Sequence, residues 1–319
     1  MKIGNREFDV YNDTYVMGIL NVTPDSFSDG GRFVVSNWEG ADISQVLRAC
    51  DKMLSDGADI IDVGGESTKP GVATVSAAEE MERILPVIEA IKKRFDTVLS
   101  VDTYKAEVAG EAIRAGADMV NDIWGLKGDE YMSKAVAELM GSYEGVALCL
   151  MHNRRPADVT SSDVPMTMHG EEIEYGYRKS SDGNPKADED LFMEDVISDL
   201  TEGVLLAKDA GVDLSRVILD PGVGFAKTYE QNLAVMRRIE ELKRVCDGRF
   251  PELKEGFPLL LGSSRKSVIG KALDAAVDER LSGTLATTAL AVFNHVGFVR
   301  VHDVKPNADV IRMLKAIRE

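Results

Sequence analysis

Short apolar runs alternate with longer segments of helical pattern along the chain, and this alternation restricts the fold more than any other feature. Eight apolar runs occur, in the order YVMGIL, DIIDVGG, TVLSVD, DMVND, VALCLM, RVILDP, PLLLG and FVRVHD. Amphipathic helical patterns lie between most of them, for example over 76–95 and 228–245. A continuous apolar run followed by a helix is typical of a parallel strand buried on both faces. The sequence therefore predicts an α/β fold, most economically a closed (β/α)8 (TIM) barrel.

The competing fold is an open, doubly wound sheet, which usually carries a Gly-rich dinucleotide loop after its first strand. Here the first run is followed by NVTPDSFSDGG, which does not match GxGxxG. The length of 319 residues suits one barrel, so we expect a single domain over 1–319. A long polar segment at about 153–190 lacks a sustained period and is predicted to be a loop insertion.

Glycine closes three of the predicted helices just before the next strand. The sequences are SDGADII, RAGADMV and DAGVDLSRVI, with Gly57, Gly116 and Gly211 at the helix ends. Glycine is the preferred residue there because the chain adopts a left-handed conformation. We interpret this near-repeat as a structural signature.

Charge and cysteine content exclude several classes of protein. The formal net charge of −17 argues against non-specific binding of nucleic acid, which needs a basic surface. Cys50, Cys149 and Cys246 are few, odd in number and widely spaced, which fits a reducing compartment. The N-terminal sequence lacks the apolar core of a signal peptide, and no run is long enough to span a bilayer. We therefore expect a soluble protein of the cytoplasm.

Every predicted strand ends in polar residues. In a β/α barrel these ends converge on one rim, where catalytic groups lie. The residues, in chain order, are Asn21, Asp62, Asp102, Asn121 with Asp122, His152, Asp220, Ser263 to Lys266, and Arg300 with His302.

Structural interpretations compete with functional ones at several of these positions, because Asp and Asn also cap helices and turns. For Asp62 a structural hydrogen bond is the better interpretation. Asp122 and Trp124 fit packing and turn roles equally well, and His152 fits either a satisfied barrel histidine or a site residue.

Several groups point to an anionic ligand. Arg300 and His302 alternate on one strand and so share a face, where a cationic pair is costly without an anion. GGESTKPG, which includes Lys69, and the residues 263–267 add hydroxyls, cations and backbone N–H groups. The sequence therefore predicts a phosphorylated substrate. Any Mg²⁺ would be held mainly by its phosphates.

Asp102, Asn121 and Asp220 indicate a second, different kind of recognition. Carboxylates and an amide match a ligand with several N–H donors on one edge, such as a 2-amino-4-oxo-pyrimidine ring. The alternative is that these acids pair structurally with Lys266 and Arg300.

The chain resembles the dihydropteroate synthase family over nearly its full length. The matching motifs are GILNVTPDSFSDGG, DIIDVGGESTKPG, SVDT, ND, DPGVGFAKT, GSSRKSVIG and RVHD, in the family's order. The resemblance implies a transferase that joins (7,8-dihydropterin-6-yl)methyl diphosphate to 4-aminobenzoate, with Mg²⁺, in folate biosynthesis. It also implies a homodimer.

The resemblance further implies roles for individual residues. Asn21 would bind Mg²⁺, and the pterin would be recognised by Asp102, Asn121, Asp220 and Lys266. The diphosphate would be held by Thr68, Arg300 and His302, and the aminobenzoate would contact Phe27, Lys69, Pro70 and Ser264. The catalytic groups would be Asp102, Lys266, Arg300 and His302. The loop 22–31 would order over the diphosphate and exclude water.

Two features depart from the family pattern, and two rival functions are open. Lys69 replaces a common Arg, and the polar segment after His152 is longer than expected. One rival is a methyltetrahydrofolate-dependent methyl transferase, which would not need the NVTPDSFSDGG loop or the basic SRK and RVH groups. The other is a silent pterin-binding paralogue, which should have lost anion-site residues that are present here.

Overall fold

A computed structural model describes residues 1–22, 43–67, 74–155, 175–246, 248–250 and 253–318. A short antiparallel hairpin, β1 (Lys2–Ile3) and β2 (Arg6–Glu7), precedes the main sheet. The main-sheet strands are β3 (Tyr15–Asn21), β4 (Ile60–Gly64), β5 (Val98–Asp102), β6 (Met119–Asp122), β7 (Ala147–Met151), β8 (Val217–Asp220), β9 (Leu260–Leu261) and β10 (Phe298–Val301).

These eight strands form one parallel barrel, as the sequence predicts. Their order is β8-β7-β6-β5-β4-β3-β10-β9, and a parallel bridge between Leu219 and Leu259 joins the two ends. Consecutive strands are neighbours throughout, which is the arrangement of a (β/α)8 barrel and not of a doubly wound sheet.

Helices cover the outside of the barrel. They are α1 (Ile43–Ser55), α2 (Ala77–Arg94), α3 (Ala106–Arg114), α4 (Met132–Ser142), α5 (Pro185–Ala210), α6 (Tyr229–Arg237), α7 (Ser267–Leu273), α8 (Leu281–Phe293) and α9 (Val304–Arg318). Short 3-10 helices lie at Leu214–Arg216, Ile239–Arg244 and Val277–Glu279. Within the described ranges, no helix is both long and apolar enough to cross a membrane.

The glycines that close helices have the predicted conformation. Gly57, Gly116 and Gly211 have φ values of +103°, +116° and +92°. An L side chain rarely adopts this region, so each glycine permits the turn into the following strand.

Two sequence predictions of element boundaries need correction. The polar segment predicted at about 153–190 ends earlier, because α5 begins at Pro185 and Asn184 caps it by accepting a hydrogen bond from Lys186 N at 3.0 Å. The single helix predicted over 228–245 is instead α6 followed by a 3-10 helix, with Arg238 outside the helical range at φ −109°, ψ 23°.

The barrel interior is closed at one end. Phe8 and Val10, which follow the hairpin, pack onto inward-facing residues such as Met17 and Phe298, and Phe8 meets Tyr15 edge-on at 4.8 Å. Because side chains alternate along a strand, the inward positions nearer the carboxyl ends are those of Asp62, Asn121, Asp220 and Arg300. Among the described residues, the barrel interior therefore presents these polar groups at its carboxyl-terminal end.

Candidate functional site

Arg300 is held at the barrel mouth by two carboxylates. Its Nε lies 2.5 Å from Asp62 Oδ2 and its Nη2 lies 2.6 Å from Asp102 Oδ2. Burial raises the pKa of Asp102, and the positive charge of Arg300 opposes this shift. Within the described part of the chain the Nη1 group of Arg300 donates to no acceptor.

Asp62 orients two site residues at once. It is fully buried, and its Oδ2 also accepts a hydrogen bond from Asn121 Nδ2 at 3.2 Å. The structure therefore agrees with the hydrogen-bonding role predicted for Asp62. A buried carboxylate between a guanidinium and an amide fixes both donors in place.

Asp220 and Lys266 form the opposite side of the mouth. The Oδ1 of Asp220 accepts a hydrogen bond from Gly222 N at 2.7 Å, and Lys266 Nζ donates to the carbonyl of Val223. Gly262 lies between them: a Cβ at this position would be 3.5 Å from Asp220 Oδ2 and 3.9 Å from Lys266 Nζ. Burial lowers the pKa of Lys266 to about 8, opposed by the charge of Asp220.

An apolar cluster borders these polar groups. Its members are Ile123, Trp124, Met151 and Phe225, with Tyr104 packed against them. The ring of Phe225 lies 4.6 Å from Lys266 Nζ. Apolar walls with a few convergent polar groups are typical of a pocket for a flat heterocycle.

His302 does not carry the positive charge that the sequence predicts for it as the partner of Arg300. Its Nδ1 lies 3.0 Å from Ser264 Oγ, and it is exposed at the rim. Desolvation by surrounding groups and the charges of Arg265 and Arg300 lower its pKa, so the imidazole is neutral.

Two of the predicted anion-binding groups bind neighbouring residues instead. Arg265 donates from Nε to Asp303 Oδ2 at 2.9 Å and from Nη2 to Oδ1 at 2.5 Å. Ser263 Oγ lies 2.8 Å from Thr287 Oγ1. Of the residues 263–266, Ser264 and Lys266 are therefore the ones that reach the mouth.

Asn21 ends β3 beside this cluster. Asn21 Oδ1 and Asp102 Oδ2 lie on either side of Gly64: a Cβ added to this glycine would be 3.6 Å from the first oxygen and 3.7 Å from the second. Among the described residues no three carboxylate, imidazole or thiolate groups are grouped for a metal ion. A single amide oxygen suits Mg²⁺ whose other ligands are phosphate oxygens and water.

Comparisons with known proteins identify the family. The model of the family "Pterin binding enzyme" matches residues 17–302. A dihydropteroate synthase of Clostridium beijerinckii is 45% identical over 318 residues, covering 99% of each chain. The chain belongs to the dihydropteroate synthase family.

Solved structures of the family agree with this assignment. A dihydropteroate synthase of Clostridium difficile, crystallised in the presence of pteroic acid, is 40% identical, with a TM-score of 0.77 over 98% of this chain and 99% of that one. The enzyme of Xanthomonas albilineans with 4-aminobenzoic acid is 32% identical, with a TM-score of 0.75 over 97% of this chain and 94% of that one.

The structure brings the predicted pterin residues of this family member together at one mouth: Asp102, Asn121, Asp220 and Lys266, with Arg300 beside them. The roles of these residues remain predictions. Phe27, Thr68, Lys69 and Pro70 lie outside the described residues, as does the predicted lid beyond Val22.

Asp122 and His152 have structural partners. Asp122 is fully buried and accepts hydrogen bonds from Trp124 N at 2.8 Å and Leu126 N at 2.7 Å, which makes it a turn residue. Both ring nitrogens of His152 are occupied, by Lys227 Nζ at 2.7 Å and Asp199 Oδ2 at 3.0 Å.

Sequence reasoning missed Lys227 and a second charged cluster. Lys227 lies in the DPGVGFAKT motif, where a lysine in an apolar loop after a strand was the available signal. In the other cluster Lys105 bridges two buried carboxylates, Glu66 at 2.5 Å and Glu80. These partners are 39 and 25 residues from Lys105, so no local pattern indicates them.

Proposed function

We propose that this chain condenses (7,8-dihydropterin-6-yl)methyl diphosphate with 4-aminobenzoate to give 7,8-dihydropteroate and diphosphate, a step of folate biosynthesis. One observation carries the proposal: a row of N–H acceptors, the buried Asn121 and Asp220 and the partly buried Asp102, lies beside cationic Lys266 and Arg300 at the open end of the barrel. This combination suits a ligand with an N–H-rich ring at one end and an anion at the other.

The polar groups suit binding of the pterin. Asp220 and the Asn121 amide can accept from and donate to the amino-oxo-pyrimidine edge, and Lys266 can donate to a ring acceptor. The apolar cluster around Phe225 offers a surface for the ring face. These contacts would hold the exocyclic methylene toward the rim.

The rim groups suit loss of diphosphate. The methylene C–O bond breaks as its electrons pass to diphosphate, and the aniline nitrogen then forms the new C–N bond. Positive charge on the electron-rich pterin is stabilised by Asp102, and negative charge on the leaving group by Arg300. The aniline nitrogen is neutral at pH 7 and loses its proton to water after attack, so no strong general base is needed.

His302 and Thr68 are proposed as further diphosphate contacts. His302 is neutral without ligand, and a diphosphate nearby would raise its pKa by offsetting Arg265 and Arg300. We propose that Ser264, Phe27, Lys69 and Pro70 contact the 4-aminobenzoate.

Mg²⁺ is the proposed cofactor. Its protein ligand would be the Asn21 amide oxygen, and the remaining ligands would be diphosphate oxygens and water. When bound, Mg²⁺ supplies charge neutralisation of the departing diphosphate.

A homodimer is proposed from an apolar surface on the last two helices. Helix α8 contains no charged residue, and its Phe293 is 62% exposed. Met313 and Ile317 of α9 are also exposed, and Arg318 Nη1 lies 3.4 Å from Val292 O, so the ends of α8 and α9 are adjacent. This surface suits a second copy of the chain.

All three cysteines are buried free thiols, which supports a reducing compartment such as the cytoplasm.

The test is diphosphate release from the pterin diphosphate, with and without 4-aminobenzoate and Mg²⁺. We expect release to depend on both and to fall by about 10²–10³-fold or more in the Asn21→Ala, Arg300→Ala double variant. Arg6→Ala is the matched control, because Arg6 pairs with Asp59 at 3.1 Å at the closed end of the barrel. Equal activity of the double variant and wild type would refute the proposed anion site. Methyl transfer from methyltetrahydrofolate would support the rival function.

A further inference from the structure

Lys227 is partly buried, with three acceptors around its amine. Its Nζ lies 2.7 Å from His152 Nδ1, 3.1 Å from Gly222 O and 3.1 Å from Phe225 O. An ammonium has three N–H donors, so these three partners satisfy it completely. Two of the partners are backbone carbonyls of one loop, 221–227, which follows β8.

That loop carries much of the pterin-facing side of the mouth. Gly222 N donates to Asp220 Oδ1 at 2.7 Å, Val223 O accepts from Lys266 Nζ, and the Phe225 ring lies 4.6 Å from the same Nζ. The positions of Asp220, Lys266 and Phe225 therefore all depend on the course of this loop. Lys227 ties the loop at two points, one before and one after Val223.

A chain of hydrogen-bonded polar groups, of which His152 is fully buried, fixes Lys227 in turn. Because Lys227 donates to Nδ1 of His152, the proton of the imidazole lies on Nε2, which donates to Asp199 Oδ2 at 3.0 Å. Arg154 donates to the same carboxylate through Nε and, at 3.1 Å, through Nη2. Its guanidinium lies 4.3 Å from the centre of the Tyr177 ring. This chain of hydrogen-bonded side chains runs from the loop 221–227, at the rim of the barrel, to helix α5 on its outside.

Burial disfavours the charged form of both central groups, but the three acceptors around Lys227 Nζ favour its ammonium form. Burial lowers the pKa of His152 to about 3, and Lys227 adds to this shift by its charge. Burial lowers the pKa of Lys227 to about 7, opposed by the charge of Asp220. Lys227 and His152 are therefore linked by hydrogen bonds, whereas Arg154 and Asp199 at the outer end form an ion pair.

We propose that Lys227 is a positioning residue for pterin binding, and that the His152–Asp199–Arg154 chain holds its amine in place. Lys227 touches no part of the proposed substrate; it acts by fixing the loop that presents Asp220, Phe225 and the acceptor of Lys266. The inference rests on the proposed function for the identity of the ligand, but not for the geometry.

The decisive comparison is between Lys227→Met and Lys92→Met. Lys92 also binds a backbone carbonyl, Thr97 O at 3.1 Å, and a side chain, Asp118 Oδ2 at 2.9 Å. These contacts lie at the closed end of the barrel. Both variants lose a tethering ammonium, so both lose some stability. Only Lys227→Met should alter the mouth.

The measurements are the dissociation constant for 6-hydroxymethylpterin by calorimetry and KM for each substrate. We expect Lys227→Met to weaken pterin binding by about ten- to a hundredfold, the range for loss of a charge-assisted hydrogen bond, and to raise KM for the pterin diphosphate. KM for 4-aminobenzoate should not change. A merely unstable variant has fewer active molecules, which lowers apparent kcat and leaves KM as it was.

The Asp199→Asn substitution tests the hydrogen-bonded chain from its outer end. It tests the proposal even if Lys227→Met does not fold. It keeps the shape of the side chain but removes the negative charge that pairs with Arg154 and accepts the hydrogen bond of His152, and we expect pterin binding to weaken several-fold. Unchanged pterin affinity in the folded variants, or an equal change in Lys92→Met, would overturn the proposal. If the wild type binds the pterin but forms no dihydropteroate, the proposed function fails while the binding comparison still tests Lys227.

Discussion

Arg300 Nε lies 2.5 Å from Asp62 Oδ2, and that oxygen also accepts a hydrogen bond from Asn121 Nδ2 at 3.2 Å. Arg300 and Asp62 are 238 residues apart in the chain, yet one carboxylate sets the position of a cation and an amide at the mouth. Asp62 thus connects the proposed anion-binding and pterin-binding groups.

Asp62→Asn should reduce kcat/KM by about ten- to a hundredfold, because one charge-assisted hydrogen bond is lost and Arg300 keeps only Asp102 as its carboxylate partner. Steady-state kinetics with the pterin diphosphate measures the effect. Asp59→Asn is the control, since Asp59 binds Arg6 at 3.1 Å at the closed end. An Asp62→Asn enzyme as active as Asp59→Asn would show that Arg300 needs no orientation by Asp62.

The Gly222→Ala substitution should disrupt the loop 221–227 at the barrel rim, whereas Gly183→Ala should leave that loop unchanged. Both glycines have a φ of +66°, so both alanines suffer the same backbone strain. At Gly222 the new Cβ would lie 1.9 Å from the carbonyl oxygen of His152, whereas at Gly183 nothing lies within 4 Å.

We expect Gly183→Ala to cost about 1 kcal/mol of unfolding free energy and to keep activity. The Gly222→Ala substitution should displace Asp220, so that the variant loses most of its affinity for the pterin. Calorimetry of the folded variants distinguishes the two effects. Similar pterin affinity in both variants would mean that the loop tolerates the displacement.

The strands and the residues at their ends could be predicted from the sequence, because buried parallel strands produce continuous apolar runs and each run ends where polar residues begin. The pairing of those residues could not. Asn121 and Asp62 meet across 59 residues, and only the barrel register brings them together. Periodicity likewise predicts one helix over 228–245, but Arg238 Nη1 lies 2.7 Å from Asp190 Oδ1 on α5, a contact that no local pattern contains.

Lys105→Met should be among the most destabilising single changes in this chain. Lys105 is the ammonium shared by Glu66 and Glu80, whose side chains are 7% and 1% exposed. Removing it leaves two buried carboxylates without their cation, which costs about 3–5 kcal/mol.

Chemical denaturation measures this loss. Lys134→Met is the control, because Lys134 and Glu138 are both exposed at 3.9 Å, and such a pair contributes less than about 1 kcal/mol. A loss in Lys105→Met no larger than in Lys134→Met would contradict the expectation.

The free energy of unfolding should fall as the pH is lowered from 6.5 toward 4.5, in part because of His152. Burial lowers the folded-state pKa of His152 to about 3, whereas the unfolded chain takes up a proton near pH 6.5. The unfolded state therefore binds more protons in this window, and stability rises with pH by about 1.4 kcal/mol per pH unit for this group.

His152→Gln removes that titration, so the wild type should lose stability more steeply than the variant on acidification. The difference between the two slopes is the quantity to compare, because Asp122, whose pKa burial raises to about 6, acts in the opposite sense in both proteins. Parallel stability curves from urea denaturation at several pH values would show that His152 is not neutral in the folded protein.

Phe293→Glu combined with Ile317→Glu should convert the proposed homodimer into a monomer. Both side chains are exposed, at 62% and 64%, on the adjacent ends of α8 and α9, and a carboxylate in each would be desolvated at a two-fold interface. Sedimentation velocity should give twice the chain mass for the wild type and the single mass for the variant. Tyr131→Glu is the control, because Tyr131 is 64% exposed at the start of α4, away from this surface, and it should leave the dimer intact. A monomeric wild type would refute the dimer, and a dimeric double variant would assign the contact to another surface.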